Sequence, residues 1–286
     1  MKNKRIKLIG FMIFTVMVLG GCSGSGQLKE VLQEEYSVAE FEEILVDYDG
    51  ESIFIGQSDQ DQVVIKELMD QKKKSYIAKM AISHGQLTIK EGARPLVGSI
   101  HTYLEIYLPK DFNKKISLHT TSGKIISNTD LMLSEINAQT TNGEISISGL
   151  TADDLMVTTT NGDTQLESIN GNLHYVSTNG NLTGRGLNGS GDFKVTANGN
   201  LDLEYFSINQ DLTAYTKNGE IKLELPSGLN FKFHALSKNG EIKTNFSKQI
   251  SGIECDLEGT IGDNPAVMVS LETKNGNMDV VYFNPE

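Results

Sequence analysis

The sequence predicts an all-β chain: a single-domain parallel β-solenoid, β-helix-like, with two short strands in each rung of about 19 residues. Three observations carry that expectation. The first is a phrase, Ser/Thr-x-Asn-Gly, that returns across the second half of the 286 residues, with Ser in place of Asn in its first copy. The second is alternation of apolar and polar residues after each copy, a period of two that fits strands and not helices. The third is composition: 28 Gly against 5 Pro, and 20 of the 22 Asn between Asn128 and Asn284. Repeated tight turns call for Gly and Asn, and central strands exclude Pro because every backbone N–H must donate. Gly has no period of three, so the chain is not collagen-like. Two Cys are too few for a disulfide scaffold.

The chain begins with a basic segment, Lys2, Lys4, Arg5 and Lys7, followed by an apolar run from Leu8 to Leu19. That run is short for a membrane span, which needs about 20 residues, and suits a signal-peptide core. It ends in Leu19-Gly20-Gly21-Cys22 and a Ser-Gly-Ser-Gly linker. This resembles the lipobox of bacterial lipoproteins, although Gly20 is a less usual residue there. The expectation is a signal peptide over 1–21, lipidation at Cys22 and a flexible tether over 22–35. Losing the leader removes four positive charges and leaves 21 basic against 37 acidic residues, a net charge of −16. So acidic a chain repels nucleic acid and anionic headgroups. Attachment to the bilayer then falls to the Cys22 lipid. Cys255 has no second cysteine to pair with and reads as a small core residue.

From Tyr36 to His119 the pattern is strand-like without repeating. Ile44–Asp49, Ser52–Ile55 and Gln62–Ile65 read as short strands between polar turns, and Leu104–Leu108 alternates up to Pro109. Lys72-Lys73-Lys74 fits a short helix or a loop. No linker separates this part from the next, so residues 36–119 are expected to begin and cap the same solenoid.

Residues 120–286 carry the repeat. The copies place Gly at 123, 143, 162, 180, 199, 219, 240 and 276, spaced 20, 19, 18, 19, 20, 21 and 36 residues apart. The last gap reads as two periods, with one copy decayed or carrying an insertion. Asn-Gly favours turns with positive φ at both central residues. Further pairs at Asn170-Gly171 and Asn188-Gly189 mark a half-period, hence two strands per rung. Sequential hairpins are the alternative architecture. Recurrence of like residues at the full period favours the coil, which stacks them.

Three columns describe the turn. Three residues before Gly stand Thr120, Thr140, Thr159, Ser177, Thr196, Thr216, Ser237 and Thr273. By alternation this column and the Asn column point inward, where stacked side chains hydrogen-bond along the axis. Between them lies an outward row: Thr121, Thr141, Thr160, Thr178, Ala197, Lys217, Lys238 and Lys274. A flat threonine row followed by lysines suits contact with a sugar, peptidoglycan or ice lattice. The plainer reading is that Thr suits exposed strands and Lys guards sheets against edge pairing.

These phrases, with Tyr107-Leu-Pro-Lys110 before them and Thr273-Lys-Asn-Gly-Asn-Met-Asp-Val280 at the end, resemble the bacterial putative-adhesin family of β-strand repeat domains of unknown function. The resemblance spans about Phe41 to Phe283. It implies an all-β solenoid at the bacterial envelope and supplies no catalytic residues.

Signatures of chemistry are missing from the sequence. The histidines at 84, 101, 119, 174 and 234 form no His-x-x-x-His pair, and no P-loop, Gly-x-Ser-x-Gly or Cys-x-x-Cys occurs. Asp47/Asp49, Asp59/Asp61 and Asp153/Asp154 read as solvated turns. Asp202, Glu204 and Glu224 near Lys222 are the nearest approach to an outward carboxylate site. The expectation is therefore a non-enzymatic, lipid-anchored envelope protein with no catalytic, metal or cofactor residues. It presents the row of Thr121, Thr141, Thr160, Thr178, Lys217, Lys238 and Lys274 to a cell-wall glycan or envelope protein. An accessory of envelope-stress signalling and a carbohydrate-active enzyme are the alternatives. The Lys- and Asn-rich start suggests a low-GC Gram-positive cell surface.

Overall fold

The computed structural model describes residues 27–95, 99–246 and 250–283. The expected signal peptide over 1–21, Cys22 and the first part of the expected tether, as far as Gly26, lie outside the described residues. The remainder is strand almost throughout, with one 3-10 turn at Val38–Glu40. The first part holds β1 (Lys29–Ser37), β2 (Glu43–Asp47), β3 (Ser52–Ser58), β4 (Gln62–Met69), β5 (Lys79–Ser83), β6 (Gln86–Lys90), β7 (Thr102–Pro109) and β8 (Lys115–Thr120). Five long strands follow: β9 (Ile125–Thr140), β10 (Ile145–Thr159), β11 (Thr164–Ser177), β12 (Leu182–Asn198) and β13 (Leu201–Asn218). The last part holds β14 (Ile221–Pro226), β15 (Phe231–Asn239), β16 (Ile242–Thr244), β17 (Ile250–Ile253), β18 (Asp256–Ile261), β19 (Val267–Asn275) and β20 (Met278–Phe283).

The long strands pair in parallel, each with the next, so the coil is the architecture and sequential hairpins are not. The two strands expected per rung run into one another as a single bent strand. The bends coincide with left-handed residues, Gly149 at φ 73°, Ser168 at 54° and Gly186 at 64°. At the half-period, Asn170 pairs with Asn188 and Gly171 with Gly189 in continuous register.

Each long bent strand buries apolar residues on both of its arms. One buried column runs Ile125, Ile145, Thr164, Leu182, Leu201, Ile221, Met278, Ile242. The other column runs Leu118, Ala138, Val157, Tyr175, Phe193, Ala214, Leu271, Ala235. Small residues make room where large ones meet. Gly191 is one such accommodation: a Cβ there would stand 2.3 Å from both the Phe193 ring and the Tyr205 hydroxyl.

Neither end of the stack follows chain order. The first coil, β2–β3, lies between two later ones: β2 pairs with β6 and β8, and β3 with β7 and β9. The last coil does the same. β19 sits between β13 and β15, and β20 pairs with both β14 and β16. Antiparallel strands close the stack beyond: β4 on β7, β1 on β4 and β5 on β6 at one end, β18 on β15 and β17 on β18 at the other. Such closure removes open parallel edges. Phe246 seals the second end, its ring 5.3 Å from Phe233, 5.7 Å from Phe231 and 5.1 Å from Tyr282. The Asn245 side chain stands in for a strand there, donating to Tyr282 O at 3.2 Å and accepting from Tyr282 N at 2.9 Å.

Several expectations need correction. Of the two readings of the 36-residue gap, the decayed copy fails and the insertion holds: the gap contains one coil, β16 and β19, with the β17–β18 hairpin inserted. Residues 29–35, read as tether, belong to β1, whose polar residues lie on an exposed edge strand. Of the two readings of Lys72-Lys73-Lys74, the loop holds and the helix does not; all three are exposed. Cys255 is half-buried in the turn of the β17–β18 hairpin, not in the core.

Candidate functional site

The repeated corner is built from hydroxyl, amide and glycine in fixed roles. The hydroxyl three residues before Gly accepts from the glycine N–H: Thr120 at 3.1 Å, Thr140 and Thr159 at 2.9 Å, Ser177 at 2.7 Å. Several hydroxyls also donate to the adjoining rung, as Thr216 does to Gly199 O at 3.0 Å and Thr273 to Gly219 O at 3.1 Å. These side chains are buried as expected, except in β12. There the strand carries an irregular register, Val195 pairs with Ser177 and Thr216 in the buried column, and Thr196 is exposed.

The glycine is there for a reason other than turn geometry. Seven of the eight corner glycines have no positive φ; Gly199, at 154°, is the exception and is close to extended. What excludes a side chain is the rung alongside. A Cβ on Gly143 would meet Gly123 O at 1.7 Å, one on Gly162 would meet Gly143 O at 1.7 Å, and one on Gly180 would meet Gly162 O at 2.1 Å.

Asn points outward rather than inward. Alternation fails here because the backbone leaves strand geometry between the hydroxyl and the glycine, which resets the phase. The axial hydrogen bonding holds nonetheless. Each Asn Nδ2 donates to a neighbouring Oδ1: Asn161 to Asn142 (2.8 Å), Asn179 to Asn161 (3.0 Å), Asn198 to Asn179 (2.9 Å), Asn218 to Asn198 (3.2 Å), Asn275 to Asn218 (2.6 Å) and Asn239 to Asn275 (2.8 Å). An exposed ladder of amides thus runs along one corner of the solenoid.

Beside it stands the outward row. Thr121, Thr141, Thr160 and Thr178 hold its first part, exposed or half-buried. Their carbonyls join the corners, as in Asn142 N to Thr121 O and Asn161 N to Thr141 O, both 2.8 Å. The lysines follow in an order the sequence conceals. Thr216, Thr273 and Ser237 pair in register, and so do Asn218, Asn275 and Asn239. Lys217, Lys274 and Lys238 therefore occupy three consecutive rungs, about 4.8 Å apart along the backbone. Among the described residues no ion pair reaches any of them. Elsewhere, neighbouring rungs set opposite charges together: Arg185 with Asp202 at 2.6 Å, Lys124 with Glu144 at 2.7 Å, Lys115 with Glu135 at 2.9 Å. Lys222 lies 3.9 Å from Asp202 on the adjoining rung and pairs with Glu224 on its own strand, so these residues form surface ion pairs.

Two open depressions of about 580 and 550 Å³ adjoin on the outer face around Asp192 and Thr213. Thr213 donates to Asp192 there at 2.6 Å, and Tyr215 gives a half-buried ring. No group of three or more His, Cys, Asp or Glu among the described residues could hold a metal ion.

The alternation in β4 held one signal that sequence reading passed over. Val63, Ile65 and Met69 face inward, and so does Glu67, fully buried. Its carboxylate accepts from Tyr48 Oη at 3.0 Å and from Ala78 N at 2.7 Å. Burial pushes Glu67 above the usual carboxylate range and Tyr48 well above its ordinary value. Nearby, Arg94 Nε donates to Glu51 at 2.7 Å, and its Nη2 lies 3.5 Å from Glu91. Burial, and then a hydrogen bond with Glu51, push Glu91 up to about 7.

The sequence profile of Toastrack DUF4097 matches residues 41–281. The chain belongs to the Toastrack DUF4097 family. The match takes in every rung of the stack, so the interleaved ends and the corner row all lie within the Toastrack domain. Among solved structures, a protein from Parabacteroides distasonis described as a putative lipid binding protein is 14% identical, with a TM-score of 0.52 over 87% of this chain and 96% of its own. A putative adhesin from Bacteroides fragilis is 16% identical, with a TM-score of 0.48 over 92% of this chain and 100% of its own. Another from Parabacteroides merdae is 14% identical, with a TM-score of 0.41 over 91% and 98%. At these identities the first likeness concerns the Toastrack fold alone. No curated protein matches the chain. No helix among the described residues is long and apolar enough to cross a membrane, which leaves spans made of strands unaddressed.

Proposed function

We propose that the chain is a non-enzymatic, lipid-anchored envelope protein whose corner row is a binding surface for cell-wall glycan. The observation that carries this reading is the stack of Lys217, Lys274 and Lys238, with no ion-pair partner among the described residues, in a chain of net charge −12. Like charges stacked on neighbouring strands repel, so the arrangement costs stability that a ligand would recover. Guarding an edge does not account for it, because Lys217 and Lys274 sit on rungs paired on both sides at the corner. The description of some solved relatives as adhesins agrees with a surface role. The bilayer anchor rests on the lipobox-like Leu19–Cys22.

The test is binding of the protein to isolated cell walls, with Lys217, Lys238 and Lys274 replaced together by Glu. Loss of binding with an unchanged circular dichroism spectrum supports the row. Unchanged binding removes it. Cross-linking in cells to a membrane sensor in place of wall polymer moves the partner from glycan to protein.

A further inference from the structure

The buried carboxylates described above belong to no rung-to-rung pattern and have no part in the corner row. They join three separate pieces of chain at the end of the stack where the described residues begin. Tyr48, Asp49 and Glu51 lie in the turn between β2 and β3. Glu67 lies on the capping strand β4. Glu91 and Arg94 lie in the segment that leaves β6. A fourth piece, the loop 70–78, has no strand of its own: Asp70 and Gln71 bind His101 and Ser99 at its start, and its end, from Ser75 to Ala78, is held at this cluster. Ala78 N donates to Glu67, Tyr76 O accepts from Arg94 Nη1 at 3.0 Å, and Ser75 O accepts from Ala93 N at 2.7 Å. The fit is close: a Cβ on Gly92 would stand 2.2 Å from Tyr76 O.

The charges in this clasp do not balance. Glu51 is only 7% exposed and Glu67 is fully buried, while Glu91 keeps some access to water. One guanidinium faces three carboxyl groups, and Tyr48 is neutral. Asp49 supplies only its backbone N–H, to Glu91 at 3.2 Å. With all three carboxylates ionised, the site would carry two uncompensated negative charges beside the core. A proton shared between Glu91 and Glu51 relieves one of them.

We infer that the segments 70–78 and 91–95 form a proton-operated clasp, closed while Glu91 is protonated against Glu51 and loosened when Glu91 ionises. Ionisation sets two carboxylates against each other. It also draws Arg94 towards Glu91, which lies 3.5 Å from its Nη2, a nitrogen with no hydrogen-bond partner among the described residues. Either movement weakens the hold of Arg94 on Tyr76 O. A carboxyl whose closed-state pKa is raised stabilises the closed form below its ordinary pKa, and that stabilisation is lost as pH rises through the raised value. With the Glu91 value at about 7, the change falls across neutrality.

The experiment is amide hydrogen exchange on the full chain at pH 6 and pH 8, corrected for the intrinsic pH dependence. Protection of the Tyr76, Ala78 and Ala93 amides should fall about 10-fold over that interval for a single proton, while the rungs from Ile145 to Ser177 stay unchanged. Glu91→Gln keeps a neutral donor and should hold the loop protected at both values. Glu67→Gln should retain the wild-type pH response. Unchanged protection in the wild type overturns the inference, and so does a pH response that survives Glu91→Gln. Flattening by Glu67→Gln alone transfers the switch to Glu67 and overturns it equally.

Discussion

Replacing Gly162 by Ala tests the physical reason for the repeat directly. The new Cβ would stand 1.7 Å from Gly143 O, against the 3.0 Å below which Cβ contacts essentially do not occur. The neighbouring rungs must separate at that corner by at least about 1.3 Å. Asn161 N–Thr141 O and the Asn161–Asn142 side-chain bond, both 2.8 Å, would then reach 4.1 Å. The 3.1 Å bond from Ile145 N to Asp163 O would reach 4.4 Å. Neither distance is a hydrogen bond. Three bonds at about 0.5–1.5 kcal/mol each amount to about 3 kcal/mol, and overpacking strain adds about 1 kcal/mol or more. The expected loss is about 4 kcal/mol. Gly50→Ala is the control, since a Cβ there meets nothing within 4 Å and the backbone is not left-handed; it should stay within about 0.5 kcal/mol of wild type. Urea unfolding followed by circular dichroism measures both. Stacked folds can unfold in steps, so exchange rates at Asn161 and Ile145 provide a local reading. A loss below about 1 kcal/mol for Gly162→Ala, or equal losses for both variants, refutes the argument that carbonyl contact selects glycine.

Asn179→Ala breaks two links of the amide ladder, to Asn161 and from Asn198, and should cost about 1–2 kcal/mol by urea unfolding. Asn113→Ala, outside the ladder, should cost little. Deleting residues 267–286 removes the strands between β13 and β15, and should yield aggregated chains rather than a slightly shortened solenoid, read by size-exclusion chromatography. Arg94→Ala leaves the clasp carboxylates without their cation and should lower the melting temperature more at pH 8 than at pH 6. Cys22→Ala should release the protein from membranes in a fractionation assay.

The architecture was legible in the sequence because stacking writes like residues at one period. Thr140, Asn142 and Gly143 recur as a unit, and the apolar phase after each Gly needs no long-range information. What the sequence concealed was anything set by the adjacent rung. The requirement for Gly143 comes from the carbonyl of Gly123, twenty residues away. The outward turn of Asn142 follows from a corner that interrupts strand phase. Thr196 sits in the expected column by counting, yet one irregular step in β12 hands that place to Val195. The order Lys217, Lys274, Lys238 depends on where the last strand inserts. The clasp was the least legible, since Glu51, Glu67 and Glu91 share no spacing, and only the inward phase of Glu67 in β4 marks one of them.

The interleaved ends have a consequence for how the chain is made. A solenoid with rungs in chain order can grow as it emerges from the ribosome or the translocon, each coil templating the next. Here β15 has no seat on β13 until β19, made later, is between them. The far end of the stack therefore closes only after β19 and β20 have been made. A chain released early keeps an open strand edge for proteases to find. The lysine row is likewise continuous only once β19 has brought Lys274 between Lys217 and Lys238.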